Sequence, residues 1–153
     1  MLLQTKHFGE IEIEEEKIIT FQGGLLGFED IKRYIVIENK DKEVPFNWLQ
    51  SVDEPELAFV VTNPYTFAQD YEFDIPQKVV DDLEIKSIKD VMILVIAVVP
   101  EDIQKMTINL RGPIIINLKN KRVKQIVLNS EKYSLKHRIF KETKVSCAGE
   151  EVC

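Results

Sequence analysis

Cysteine, histidine and tryptophan are scarce in this 153-residue chain, at two, two and one. Both cysteines, Cys147 and Cys153, fall in the last seven residues, after the apolar pattern has stopped. A disulfide between them would close only a small terminal loop, and no scaffold there holds a base against a thiol. His7 and His137 have no cysteine or paired carboxylate at ligand spacing, so no metal site is called. Ser51, Ser87, Ser130 and Ser134 lack a Gly-x-Ser-x-Gly turn, which leaves a hydrolase triad unsupported. Of only six glycines, Gly23, Gly24 and Gly27 cluster, but no Gly-Lys-Ser/Thr and no long helix follow to cradle a phosphate. They read as a bend that needs positive φ. The longest apolar run, Val91–Pro100, is about half of what a membrane-spanning helix needs. The N-terminus shows no cationic stretch leading into a long apolar one. The expectation is a cytoplasmic binding protein with no catalytic residues, no cofactor, no metal and no membrane partner.

What is present is charge, unevenly spread. Residues 1–104 carry 22 acidic and 9 basic groups, whereas residues 105–142 carry 2 acidic and 10 basic ones, within a net charge of −6. An acidic face that attracts a basic partner is one reading, and ordinary solvated strands are the other. The basic strip Lys119, Lys121, Arg122 and Lys124 raises an RNA-binding module as an alternative function. It lacks the interleaved aromatics of a single-strand platform.

Strand signals dominate. Gly9–Glu14 alternates polar and apolar with period two, Glu14–Lys17 reads as a charged turn, and Ile18–Phe21 reads as the returning arm of a hairpin. Further strands are predicted at 34–37, 46–50, 57–62, 71–75, 107–110, 114–118 and 123–128. The β-branched run 91–99 belongs mid-sheet. Turns are placed at Asp53–Glu56 and Asn120-Lys121, and one helical turn each at Glu29–Lys32 and Ser87–Asp90. Pro76–Glu84 is the best helix, with Val79, Val80 and Leu83 on one face. Many short strands and one short helix predict a mainly β fold, a small antiparallel β-barrel-like single domain over residues 1–140. Residues 141–153 read as a disordered polar tail.

Candidate partner-binding residues are Glu12 on the hairpin face, Leu25 in the glycine bend, and Gln50 and Ser51 at a strand end. Asp70, Tyr71 and Glu72 join them, in a run that mixes carboxylates with aromatics. Gln50 and Ser51 are expected to reach outward. Trp48 reads as core, and Phe28 as a plug for one barrel end, with Leu25 and Leu26 either plugging it or exposed.

Three segments in order, Phe21-Gln-Gly-Gly-Leu-Leu-Gly-Phe-Glu29, Pro45–Pro64 and Asn109-Leu-Arg-Gly-Pro-Ile-Ile-Ile-Asn117, closely resemble the signature of the FliW family of flagellar assembly factors. The resemblance covers roughly residues 3–140. It implies a small β-barrel-like fold, no enzymatic activity and two protein partners. These are flagellin, held before export, and the RNA-binding translational repressor CsrA, which FliW-like proteins antagonise. Direct nucleic-acid binding is not implied.

Overall fold

The alternation in the sequence becomes a wall with two distinct faces. The computed structural model describes residues 1–129 and 131–140, with the backbone alone of Ser146–Cys147 and Glu150–Val152, two short segments that pair with each other. The rest of the 141–153 tail, and with it the expected disorder, lies outside the described residues. Eleven strands precede it: β1 (Leu2–Thr5), β2 (Gly9–Glu12), β3 (Ile19–Phe21), β4 (Arg33–Ile37), β5 (Phe46–Ser51), β6 (Ala58–Thr62), β7 (Val91–Val98), β8 (Thr107–Ile108), β9 (Ile114–Asn117), β10 (Arg122–Gln125) and β11 (His137–Arg138). The single α-helix among the described residues, α1, spans Gln77–Asp82.

Strands β7, β6, β5, β4, β3, β10 and β9 follow one another around a sheet that closes by pairing β9 back onto β7. Closure removes the edges on which other chains could add. The long β7 makes this possible by serving two neighbours along one edge. Val91–Leu94 pair with β9, while Ala97 and Val98 pair with β8, which carries β11 outside the barrel. Within this sheet the pairings are antiparallel except for β3 with β10, where Arg122 lies opposite Thr20 and Val123 opposite Phe21. The antiparallel barrel is therefore closed with one parallel seam.

Inside lie Ile19, Phe21, Leu25, Tyr34, Leu49, Val61, Leu94, Ile114, Ile116 and Val123. Outside, β7 and β9 are covered a second time. Val79 of α1 and Leu83 at its C-cap pack on Ile115 and Ile126, and Tyr71 and Tyr133 pack with Val95, Ala97 and Ile108. Burial on both faces is why Val91–Ala97 is apolar throughout. Trp48 is half-buried, with its ring edge-on to Phe8 at 5.1 Å.

Three expectations are corrected. Gly9–Glu12 pairs with Leu2–Thr5, not with residues 18–21, because Thr5 Oγ1 accepts from Phe8 N and donates to Gly9 O, closing a tight turn at a left-handed Gly9. The charged turn expected at Glu14–Lys17 is present, as a single 3₁₀ turn over Glu15–Lys17 that leads into β3 and not back from β2. Residues 71–75 form no strand, and 29–32 form no helical turn. The β11 strand was not foreseen.

Candidate partner-binding surface

The glycine bend shuts one end of the barrel. Gly24 and Gly27 adopt φ of +73° and +90°, and a Cβ at Gly24 would lie 2.5 Å from the Glu29 backbone. Only glycine allows the chain to fold back so closely. The bend drops Leu25 into the barrel core, so Leu25 is the plug. Phe28, expected in that role, is 39% exposed and lies edge-on to Phe59 at 5.4 Å. The reason is geometric: Leu25 and Phe28 bridge across the turn, and only one of them faces inward.

Gln125, which sequence reasoning passed over, ties this end together. Its Oε1 accepts from Leu26 N at 3.0 Å, and its Nε2 donates to Gly112 O at 2.9 Å. Gly112 belongs to the turn that Asn109 caps by accepting from the Arg111 and Gly112 amides. Two of the three signature segments thus meet through one side chain. The available signal was an uncharged polar residue standing directly before the apolar run Ile126–Leu128.

Gln50 and Ser51 do not reach outward; both are fully buried. Gln50 Nε2 donates to the carbonyls of Ser51, Pro55 and Leu57, and Ser51 Oγ accepts from Glu54 N. They build the β5–β6 turn from beneath, and the turn presents Asp53, Glu54 and Glu56 to solvent. Lys6 N donates to Pro55 O, which fastens the β1–β2 hairpin beside that turn. Leu3 and Ile13 of the hairpin segment pack on Ile35 and Val52, leaving Glu10 and Glu12 exposed. The result is an acidic ledge on a rigid wall.

At its margin the Arg33 guanidinium hydrogen-bonds the Asp53 carboxylate, with Nε to Oδ2 at 3.1 Å. That bond holds Arg33 above its ordinary pKa and Asp53 below the usual carboxylate range. Both side chains are about half exposed, so solvent screening keeps the pair to under ~1 kcal/mol.

Asp70 and Glu72 are exposed, while Tyr71 is buried, donating from its hydroxyl to Leu110 O at 2.5 Å. Glu12 belongs to the hairpin over β4 and Asp70–Glu72 to the cover over β7, three strands around the wall. The structure therefore divides the candidates. Glu12, Asp70 and Glu72 are surface groups on separate faces, whereas Leu25, Gln50, Ser51 and Tyr71 are buried supports.

The basic strip is already partnered. Lys124 lies 3.3 Å from Asp82, Arg122 3.6 Å from Glu84 and Lys119 3.8 Å from Asp90, while Lys121 Nζ donates to Leu118 O. The carboxylates come from α1 and the segment after it, so charge that is segregated along the chain is interleaved in space.

No group of three or more His, Cys, Asp or Glu side chains able to hold a metal occurs among the described residues. No helix among them is long and apolar enough to cross a membrane.

A flagellar assembly factor from Alkaliphilus metalliredigens is 55% identical over 142 residues, covering 93% of this chain and 88% of that protein. The flagellar assembly factor of Bacillus pumilus is 42% identical over 147 residues, covering 96% of this chain and 100% of its own. A crystal structure of the flagellar assembly factor FliW superposes with a TM-score of 0.86 at 36% identity, over 93% of this chain and 99% of that one. The FliW protein family model matches residues 2–139, and the chain belongs to that family.

Proposed function

We propose that this protein binds flagellin in the cytoplasm and antagonises the RNA-binding translational repressor CsrA by protein–protein contact, coupling flagellin synthesis to flagellar assembly. It acts by binding and not by catalysis. The observation that carries the reading is the acidic ledge, where Glu10 and Glu12 stand beside Asp53, Glu54 and Glu56 on a closed barrel. A protein that binds RNA presents lysines and arginines to phosphates, so a fixed acidic surface steers its encounter. Asp70 and Glu72 supply a second exposed acidic stretch, for the same or the other partner.

The RNA-module alternative is disfavoured by the pairing of Lys119, Arg122 and Lys124 with carboxylates. A gel-shift titration separates the two readings. The protein alone is expected to leave RNA unshifted at low micromolar concentration, and to dissolve the repressor–RNA complex when repressor is present. A shift of RNA by the protein alone, lost on neutralising residues 119–124, refutes contact through the repressor. With the charge-reversed variant Glu12→Lys/Glu54→Lys, association with the repressor should slow, and its decline with rising salt should flatten.

A further inference from the structure

After Tyr71 the chain runs on to Pro76 without turn or bend, its side chains alternately covered and exposed. Tyr133 satisfies the first residue of this run: its hydroxyl accepts from Glu72 N at 2.8 Å and donates to Glu72 O at 2.9 Å. Beyond it, the N–H and C=O groups of Phe73, Asp74 and Ile75 meet no partner among the described residues. Facing them is the chain that leaves α1, where Lys86 also has an unpaired backbone and Ser87 is extended at φ −148° and ψ 142°.

Between the two walls lies a cleft of about 440 Å³ with an apolar floor and sides of Tyr65, Phe73, Ile75, Ile85, Ile88 and Ile93. Ile88 is 73% exposed at the rim, although neighbouring apolar groups are largely covered. The volume is in the range of small-ligand pockets and leaves room for one large side chain together with the main chain that carries it.

We propose that this slot docks an extended, basic peptide segment of a partner protein, which adds as a strand along Phe73–Ile75 and sinks one large apolar side chain into the cleft. Three features select that occupant over a small molecule or a helix. The unpaired main chain offers alternating donors and acceptors, as strand addition requires. The cleft receives the side chain directed inward, since side chains of a strand point alternately to opposite faces. Asp70, Glu72 and Asp74 lie exposed along this wall, three carboxylates against the one cation, Lys86, that lines the cleft from the facing wall, and they meet basic residues flanking the apolar one. The proposal does not depend on which partner carries the segment.

The probe is the peptide acetyl-Thr-Lys-Leu-Lys-Thr-amide, titrated into the isotopically labelled full chain and followed by amide chemical shifts and hydrogen exchange. Shifts should concentrate at residues 73–75 and 85–88, with slowed exchange at the Phe73 and Ile75 amides. Replacing the central leucine of the peptide by serine, or methylating its backbone nitrogens, should weaken binding at least ~5-fold, as should Ile88→Asp or Asp74→Lys. Those two positions are exposed, and an unchanged amide spectrum elsewhere would verify that the variants fold. Equal binding of the methylated peptide would overturn strand addition. Shifts that ignore Ile88→Asp would overturn the cleft. The same amides shifting on dilution without peptide would assign the slot to a second copy of this chain and refute a separate partner.

Discussion

Replacing Gly24 by alanine tests whether the signature glycines act through backbone geometry alone. At Gly24 a Cβ meets three backbone atoms of Glu29 at 2.5, 2.5 and 2.7 Å, and φ is +73°. The left-handed conformation costs an alanine about 1 kcal/mol, and relieving overlap with a backbone that has little room to give costs about 1–3 kcal/mol more. Moving the bend also withdraws Leu25 from the core, so the total is about 3 kcal/mol against a stability of roughly 5–15 kcal/mol for a domain. In urea this is a drop of about 1.5 M in the midpoint at an unchanged slope of about 2 kcal/mol per molar. The neighbours supply the controls. Gly27→Ala meets nothing within 4 Å but keeps φ at +90°, so it should cost only the conformational share, about 1 kcal/mol. Gly23→Ala meets nothing within 4 Å and has no positive φ, and should stay within about 0.5 kcal/mol of the parent. Equal midpoints for Gly23→Ala and Gly24→Ala would refute the close-approach argument.

Two further substitutions probe buried polar groups. Tyr34 is fully buried and its hydroxyl has no partner among the described residues, and burial pushes its pKa up to about 12. The unfolded phenol ionises near pH 10 while the folded one stays protonated, so stability is full below pH ~10 and falls as the pH rises through about 12. Tyr34→Phe should be neutral or more stable at pH 7 and should lessen that alkaline loss. A destabilised Tyr34→Phe in urea titrations would mean that the hydroxyl has a partner. Gln50→Ala removes one donor from three carbonyls and should cost about 1–3 kcal/mol in thermal or urea unfolding. Near-native stability would show that the β5–β6 turn holds without it.

Barrel and core followed from alternation because period two reports which face a residue takes. Ile19, Phe21, Leu94, Ile114 and Ile116 turn inward as that rule requires. The β9–β10 turn was equally legible: Lys121 takes φ of +62°, and Asn117 and Asn120 accept from backbone amides two residues on. Alternation does not report which strand lies alongside. That is why Gly9–Glu12 was paired with the wrong neighbour, and why the parallel β3–β10 seam, closed by residues about a hundred positions apart, left no local trace. Residues 71–75 alternate like a strand but pair with no strand among the described residues: Tyr71 N turns back to Ala68 O, and a side chain, Tyr133, takes up both backbone groups of Glu72.

The surface was less legible than the core, and Gln50 shows the cause. Polarity at a strand end normally means solvent, since burying an amide without bonds costs several kcal/mol or less depending on compensation. Here the three carbonyls of the following turn fold over the side chain and compensate its donor. Burial thus depends on a turn conformation that polarity alone does not encode. The same holds for charge: counting by windows separated an acidic first part from a basic second part, yet Asp82, Glu84 and Asp90 cross over to Lys124, Arg122 and Lys119. Glu10, Glu12, Glu54 and Glu56, which form no ion pair among the described residues, keep their field for an incoming partner. The electrostatic part of recognition therefore rests on what the fold leaves unpaired, and it should respond to reversal at those positions and not at Asp82 or Glu84.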